Sequence, residues 1–81
     1  MKAIVTVGLK PGVLDVQGKA VAKALNGLGF ADVRDARVGK VIEIDLTASD
    51  HTAAEAEVRA MCEALLANTV IESYKIEIRN P

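Results

Sequence analysis

The apolar residues of this 81-residue chain switch repeatedly between a two-residue spacing and a three-to-four-residue spacing. That succession constrains the fold more than any single motif, because the first period suits a strand and the second a helix. Over residues 2–9, Val5, Val7 and Leu9 alternate with Ile4, Thr6 and Gly8. Both sets are mostly apolar or small, which predicts a central strand covered on both faces. Lys10-Pro11-Gly12 breaks it. Residues 15–28 predict a helix with Asp15 as N-cap and an apolar stripe of Ala20, Val21, Ala24, Leu25 and Leu28. Lys19 and Lys23 share its polar side, and Gly27 or Gly29 supplies the stop.

Residues 33–38 predict a short strand, joined through Gly39-Lys40 to a clearer one over 41–47. In the latter, Ile42, Ile44 and Leu46 oppose Glu43 and Asp45, and the pair reads as a hairpin. Residues 50–67 predict the strongest helix, capped by Ser49 or Asp50 and closed by Asn68. Ala54, Val58, Met61, Cys62, Leu65 and Leu66 form its core stripe, and Glu55, Arg59 and Glu63 an outer ladder. Residues 71–78 are the last strand. The order β-α-β-β-α-β predicts one α+β domain over residues 1–81. Its class is a ferredoxin-like two-layer sandwich, an antiparallel sheet with two helices on one face.

Composition narrows the function. Apolar residues make up 51% of the chain, too many for a disordered one. Ten basic and eleven acidic residues give a net charge of -1, which argues against a nucleic-acid or membrane-surface protein. Uncharged runs stop at about eight residues against the ~18 of a membrane span. No signal peptide is evident, and a lone cysteine fits a reduced, cytoplasmic chain. With no disulfide or metal cluster, and only Phe30 and Tyr74 to enlarge the core, oligomerisation is the remaining source of buried area. Residues 1–40 hold seven basic and three acidic groups, residues 41–81 three and eight. Such asymmetry could steer association of subunits, although two solvated helix faces explain it as well.

Catalytic motifs fail one by one. His51 and Cys62 lie eleven residues apart on one helix, about 16 Å in rise, too far for a dyad. One cysteine and one histidine do not make a zinc site. Gly39-Lys40 lacks the first glycine and the Ser/Thr of a phosphate loop, and Asp32 interrupts the Gly27-x-Gly29 pattern. Glu43 and Asp45 read as a polar sheet face. That face lacks the aromatics that stack RNA bases, and its carboxylates would repel phosphate. Gly18 is unexpected inside a helix, where it costs up to about 1 kcal/mol against alanine; a close backbone approach would justify it.

The segment Leu9-Lys10-Pro11-Gly12-Val13-Leu14-Asp15-x-Gln17-Gly18 resembles the signature of the PurS family. So do Arg37-Val38-Gly39-Lys40, and Met61-Cys62 followed by Leu65-Leu66-Ala67-Asn68-x-Val70-Ile71-Glu72-x-Tyr74. Val16 and Thr69 occupy places where the family often has proline. PurS is the small subunit of phosphoribosylformylglycinamidine (FGAM) synthase, a carbon–nitrogen ligase of purine biosynthesis that uses ATP and takes nitrogen from glutamine. The resemblance implies an assembly subunit with no catalytic residue, no cofactor and no metal of its own. ATP and magnesium belong to a large PurL-type synthetase subunit, and the nucleophilic cysteine to the PurQ glutaminase subunit. It further implies a homodimer or homotetramer that brings these two together. Candidate subunit-contact residues are Lys10, Pro11, Gly12, Asp15, Gln17, Gly18, Arg37, Gly39, Lys40 and Asn68, with Lys10, Arg37 and Lys40 as cationic contacts. The alternative is an ACT-like dimeric regulatory module binding a small ligand, suggested by the element order and by the Lys10-Pro11-Gly12-Val13-Leu14 turn.

Overall fold

The computed structural model of the chain describes residues 1–80. Strand β1 (Lys2–Leu9) leads to helix α1 (Val16–Gly27), strand β2 (Gly39–Asp45), helix α2 (His51–Met61), a π-helical turn (Cys62–Leu66) and strand β3 (Glu72–Arg79). The sheet is antiparallel in the order β2-β1-β3, so β1 is central, as its composition predicts. Val5 faces Ile42 on one side and Ile76 on the other; Ala3 likewise sits between Ile44 and Ile78. These residues share one face because side chains alternate along a strand.

That face carries the core. Ala3, Val5 and Val7 are buried against Val58 and Cys62, with Ala67 at the edge of the cluster. Ala54, Val58 and Cys62 recur every four residues on α2, which places them on one side of the helix. Asp50 is the N-cap of α2, its Oδ2 accepting from the Ala53 N–H at 3.1 Å. In the π turn, the Ala67 N–H reaches the Cys62 carbonyl, five residues back. The extra residue in that turn rotates Leu65 out to 83% exposure, although the helical spacing predicts it inside. Of the outer ladder, Arg59 pairs with Glu55 at 3.1 Å. Glu63 instead accepts from the Tyr74 hydroxyl at 2.7 Å, tying the π turn to β3. Tyr74 is half-buried, whereas Phe30, the other aromatic, is 55% exposed and adds nothing to this core.

The opposite sheet face is open, so β1 is covered on one side only. It presents Lys2, Thr6, Glu43, Asp45, Lys75, Glu77 and Arg79, with ion pairs Lys2–Glu43 at 3.7 Å and Arg79–Glu77 at 3.1 Å. The polar reading of Glu43 and Asp45 holds.

Further expectations are corrected. Residues 33–38 are not a strand, and there is no hairpin at Gly39-Lys40. Both of those residues belong to β2, where Gly39 pairs with Gly8 and Lys40 with Val7. The Val38 N–H is taken by the Asp15 carboxylate instead of a neighbouring strand. In addition, α1 does not stack on the sheet; its partner is the 33–38 segment running back along it. Gly18 and Ala22 are the buried residues of α1, whereas Val21 (39%) and Leu28 (75%) of the expected stripe are exposed. α1 ends with Leu28 as C-cap and Gly29 at φ 102°, and the Phe30 N–H returns to the Leu25 carbonyl. Asn68, by contrast, does not cap a helix through a left-handed turn. Its carbonyl accepts from Ile71 and Glu72, and its Oδ1 from Val70, to turn the chain into β3.

Candidate docking site

At the C-terminal end of β1, three segments converge: residues 9–18, which include the start of α1, residues 36–40 and residues 68–72. Their junction is organised by Asp15, which is only 5% exposed. Its Oδ1 accepts from the Gly18 N–H at 2.7 Å, as an N-cap should, and its Oδ2 accepts from the Val38 N–H at 2.7 Å. Those two backbone donors, first that of Val38 and then that of Gly18, hold its carboxyl below the usual range, with Arg37 adding to the effect. One carboxylate thus fixes both the start of α1 and the entry to β2. Gly18 is required beside it, because a Cβ there would collide with the Ala36 carbonyl oxygen and approach Asp15 Oδ2 to 2.8 Å. The close approach that its place in a helix implies therefore comes from residue 36 of the same chain.

The turn at residues 10–13 closes through the Val13 N–H on the Lys10 carbonyl at 2.9 Å. Arg37 holds it from outside: Nη1 donates to the Val13 carbonyl at 3.1 Å, and Nη2 to the carbonyls of Lys10 at 3.0 Å and Leu9 at 3.3 Å. Lys10 ties the turn to the third segment, its Nζ donating to the Thr69 carbonyl at 2.8 Å and its N–H to the Ile71 carbonyl at 2.8 Å. Glu72 Oε1 accepts from the Asn68 N–H at 2.7 Å. Gly39 lets β2 pass close to β1; a Cβ there would lie 2.6 Å from the Val7 carbonyl oxygen.

Between these segments lies an open cleft of about 270 Å³, walled by Val7, Leu9 and Val38 and by the polar groups of Asp15, Gln17, Lys40 and Glu72. Both carboxylates at the cleft are already bonded to backbone N–H groups. Lys40 and Gln17 are exposed, and among the described residues neither side chain has an ion pair or a hydrogen bond. Pro11 and Gly12 form the exposed tip, flanked by Leu14 and Val16.

The structure thus gathers Lys10, Pro11, Gly12, Asp15, Gln17, Gly18, Arg37, Gly39, Lys40 and Asn68 at one end of the molecule, in two kinds of role. Asp15, Gly18, Arg37, Gly39 and Lys10 bind the segments to one another, and Asn68 shapes the 68–72 turn; Gln17, Lys40, Pro11 and Gly12 are the surface that results. The Ala36, Val38 and Thr69 backbone groups also belong to the site. Only the helix-interior Gly18 hints at the first of them in the sequence. His51 is exposed at the start of α2 and Cys62 is buried in the core, its thiol pushed up by burial. Neither lies in the cleft. No cluster of three potential metal ligands occurs among the described residues.

The PurS profile, described as phosphoribosylformylglycinamidine (FGAM) synthase, matches residues 2–80. The phosphoribosylformylglycinamidine synthase subunit PurS of Bacillus subtilis is 47% identical over 77 residues, spanning 95% of this chain and 90% of its own. The crystal structure of Methanocaldococcus jannaschii PurS superposes with a TM-score of 0.91 at 39% identity, covering 99% of this chain and 96% of that one. A chain of the PurLQS structure from Thermotoga maritima gives 0.86 at 29% identity, covering 94% and 93%. With a profile match over nearly its whole length and a relative this similar, the chain belongs to the PurS family.

Proposed function

We propose that this chain is the non-catalytic assembly subunit of an ATP- and glutamine-dependent FGAM synthase in the cytoplasm. As a homodimer or homotetramer, it brings a PurQ glutaminase and a PurL-type synthetase together, and ATP and magnesium belong to the synthetase. The observation that carries this reading is the family match over residues 2–80, with relatives named as synthase subunits and one of them seen within PurLQS. The site agrees with it. Its carboxylates and most of its cations are used in shaping loops, and what it offers outward is a rigid turn, an amide and a lysine. That is a surface for binding a protein.

The mechanism of such a part is proximity. Ammonia released from glutamine would diffuse away or become protonated. Holding the glutaminase beside the synthetase raises its effective concentration where it is consumed. Lys40 and Gln17 contact a partner, while Lys10 and Arg37 hold the Pro11-Gly12 turn in its docking shape and keep their remaining donors at the surface. The family match sets the ACT-like alternative aside.

Glutamine-dependent turnover of purified synthetase and glutaminase, with and without this protein, is the test. Turnover that requires it, together with a co-migrating three-component complex, is the expected result. Unchanged turnover with no complex would refute the assembly role.

A further inference from the structure

Asparagine occurs at positions 26, 68 and 80, and only Asn26 precedes a glycine. A following glycine leaves its backbone nitrogen unshielded, which makes Asn-Gly the asparagine pair most prone to closing into an imide ring. In this fold the pair sits at a joint. Asn26 Nδ2 donates to the Ala22 carbonyl at 2.9 Å, one turn back on α1, and to the Val33 carbonyl at 3.0 Å, on the segment that returns along the helix. The Asn26 carbonyl accepts from the Gly29 N–H and the Leu25 carbonyl from the Phe30 N–H, the paired bonds that end a helix on a left-handed glycine. Side chain and backbone of Asn26 are thus both engaged, while the residue itself remains exposed.

We infer that Asn26-Gly27 is a deamidation site that the folded end of α1 holds closed, and that its reaction unlatches residues 28–33 from the helix. In the reaction the Gly27 nitrogen attacks Asn26 Cγ. The new N–Cγ bond closes the imide, and Nδ2 leaves as ammonia with the proton that Gly27 gave up. Water then adds to one imide carbonyl: opening at Cγ gives aspartate, and opening at the backbone carbonyl gives isoaspartate. Ring closure needs Asn26 to leave the helical ψ of about −42°, so it proceeds only when the end of α1 opens. The product cannot close the joint again. A carboxylate has no N–H to give, so the Ala22 and Val33 carbonyls would face negative charge instead of a donor. That charge also falls in the last turn of α1, which holds no basic residue to offset it. An isoaspartate adds a backbone carbon and breaks the helical register outright. The segment released at Val33 runs on to Arg37 and Val38, which shape the docking cleft.

The full chain is aged in mildly alkaline buffer, native and in urea, and each asparagine peptide is read by mass and charge. Expected is conversion at Asn26 ahead of Asn68 in urea, and about ten-fold slower or more in the native protein. Equal native and urea rates would overturn the protection, and an Asn26 no faster than Asn68 in urea would overturn the site. Gly27→Ala, where a Cβ meets nothing within 4 Å, should keep the fold and slow conversion in urea several-fold; an unchanged rate would rule out ring closure through Gly27. Asn26→Asp reads the unlatching directly. Amide exchange at Phe30 and Val33 should quicken about ten-fold or more, with the β1–β3 ladder still protected. Unchanged exchange at both would show that the amide latches nothing.

Discussion

Gly18→Ala sets two effects of opposite sign against each other. Within a helix the change gains up to about 1 kcal/mol, because alanine has less backbone freedom to lose. The same methyl would collide with the Ala36 carbonyl oxygen and lie 2.8 Å from Asp15 Oδ2. Neither neighbour is the free end of a flexible side chain. One is backbone, and the other is pinned by two hydrogen bonds of 2.7 Å. Overpacking of this kind costs about 1–3 kcal/mol, and a rigid site belongs at the upper end. The net expectation is a loss of about 2 kcal/mol once the propensity gain is subtracted. At 4–8 °C per kcal/mol for a domain of this size, that is a fall in Tm of roughly 8–16 °C. Gly27→Ala is the control: a Cβ there meets nothing within 4 Å, so only the propensity gain of up to about 1 kcal/mol remains. Urea and thermal unfolding of both variants, at one protein concentration, read the difference. A Gly18→Ala protein as stable as the parent would show that residue 36 does not press on the helix, and the account of the Asp15 junction would fall with it.

Other perturbations probe the same junction and the core. Asp15→Asn should flatten the acid limb of the stability curve. The depressed carboxyl of Asp15 stabilises the fold above its ordinary value of 3.8, and that contribution is lost as pH falls through the folded-state value; parallel acid limbs in Tm against pH would contradict this. Arg37→Ala removes three hydrogen bonds to exposed carbonyls, so amide exchange at the 10–13 turn should quicken while the β1–β3 ladder stays protected. Unchanged exchange at Val13 would mean the guanidinium holds nothing. Lys40→Ala should leave stability within about 0.5 kcal/mol yet weaken three-component assembly; intact assembly and turnover would end its role as a cationic contact. The Cys62 thiol, raised by burial, should resist thiol reagents in the native state. Its contribution to stability is full below pH 9 and is lost as pH rises through the folded-state value. Modification as fast as that of an unfolded peptide would argue against its place in the core.

Much of the site could be read from residue types alone. Pro-Gly after a strand, an aspartate before a helical period and a glycine where helices avoid one all point to the 9–18 segment. Two residues carried a different meaning from the one their charge suggests. Lys10 and Arg37 look like outward cations, but much of their donor capacity goes to the carbonyls of Leu9, Lys10, Val13 and Thr69. No sequence pattern marks a backbone acceptor, because every residue has one. Residues 33–38 show the converse: Val33 and Val38 suit a strand, yet the Val38 N–H found a buried carboxylate 23 residues away. Strand propensity has no term for such a competitor.

Local periodicity and turn chemistry determined the elements: β1 over Lys2–Leu9, a helix begun at Asp15 and another at Asp50, the β2 alternation of Ile42 and Ile44 with Glu43 and Asp45, and an α2 face of Ala54, Val58 and Cys62. These follow from interactions between residues a few positions apart, which the order of the chain already contains. The tertiary structure alone decided which apolar stripe found a cover. A stripe of Ala20, Val21, Ala24, Leu25 and Leu28 announces only that something will bury it. Asp15 and Gly18 fastened α1 to residues 36–38 instead of to the sheet, leaving that stripe and the β2 half of the core face exposed in the single chain. Whether a helix covers its own sheet depends on distances between segments far apart in sequence, and those are set only when the chain closes on itself.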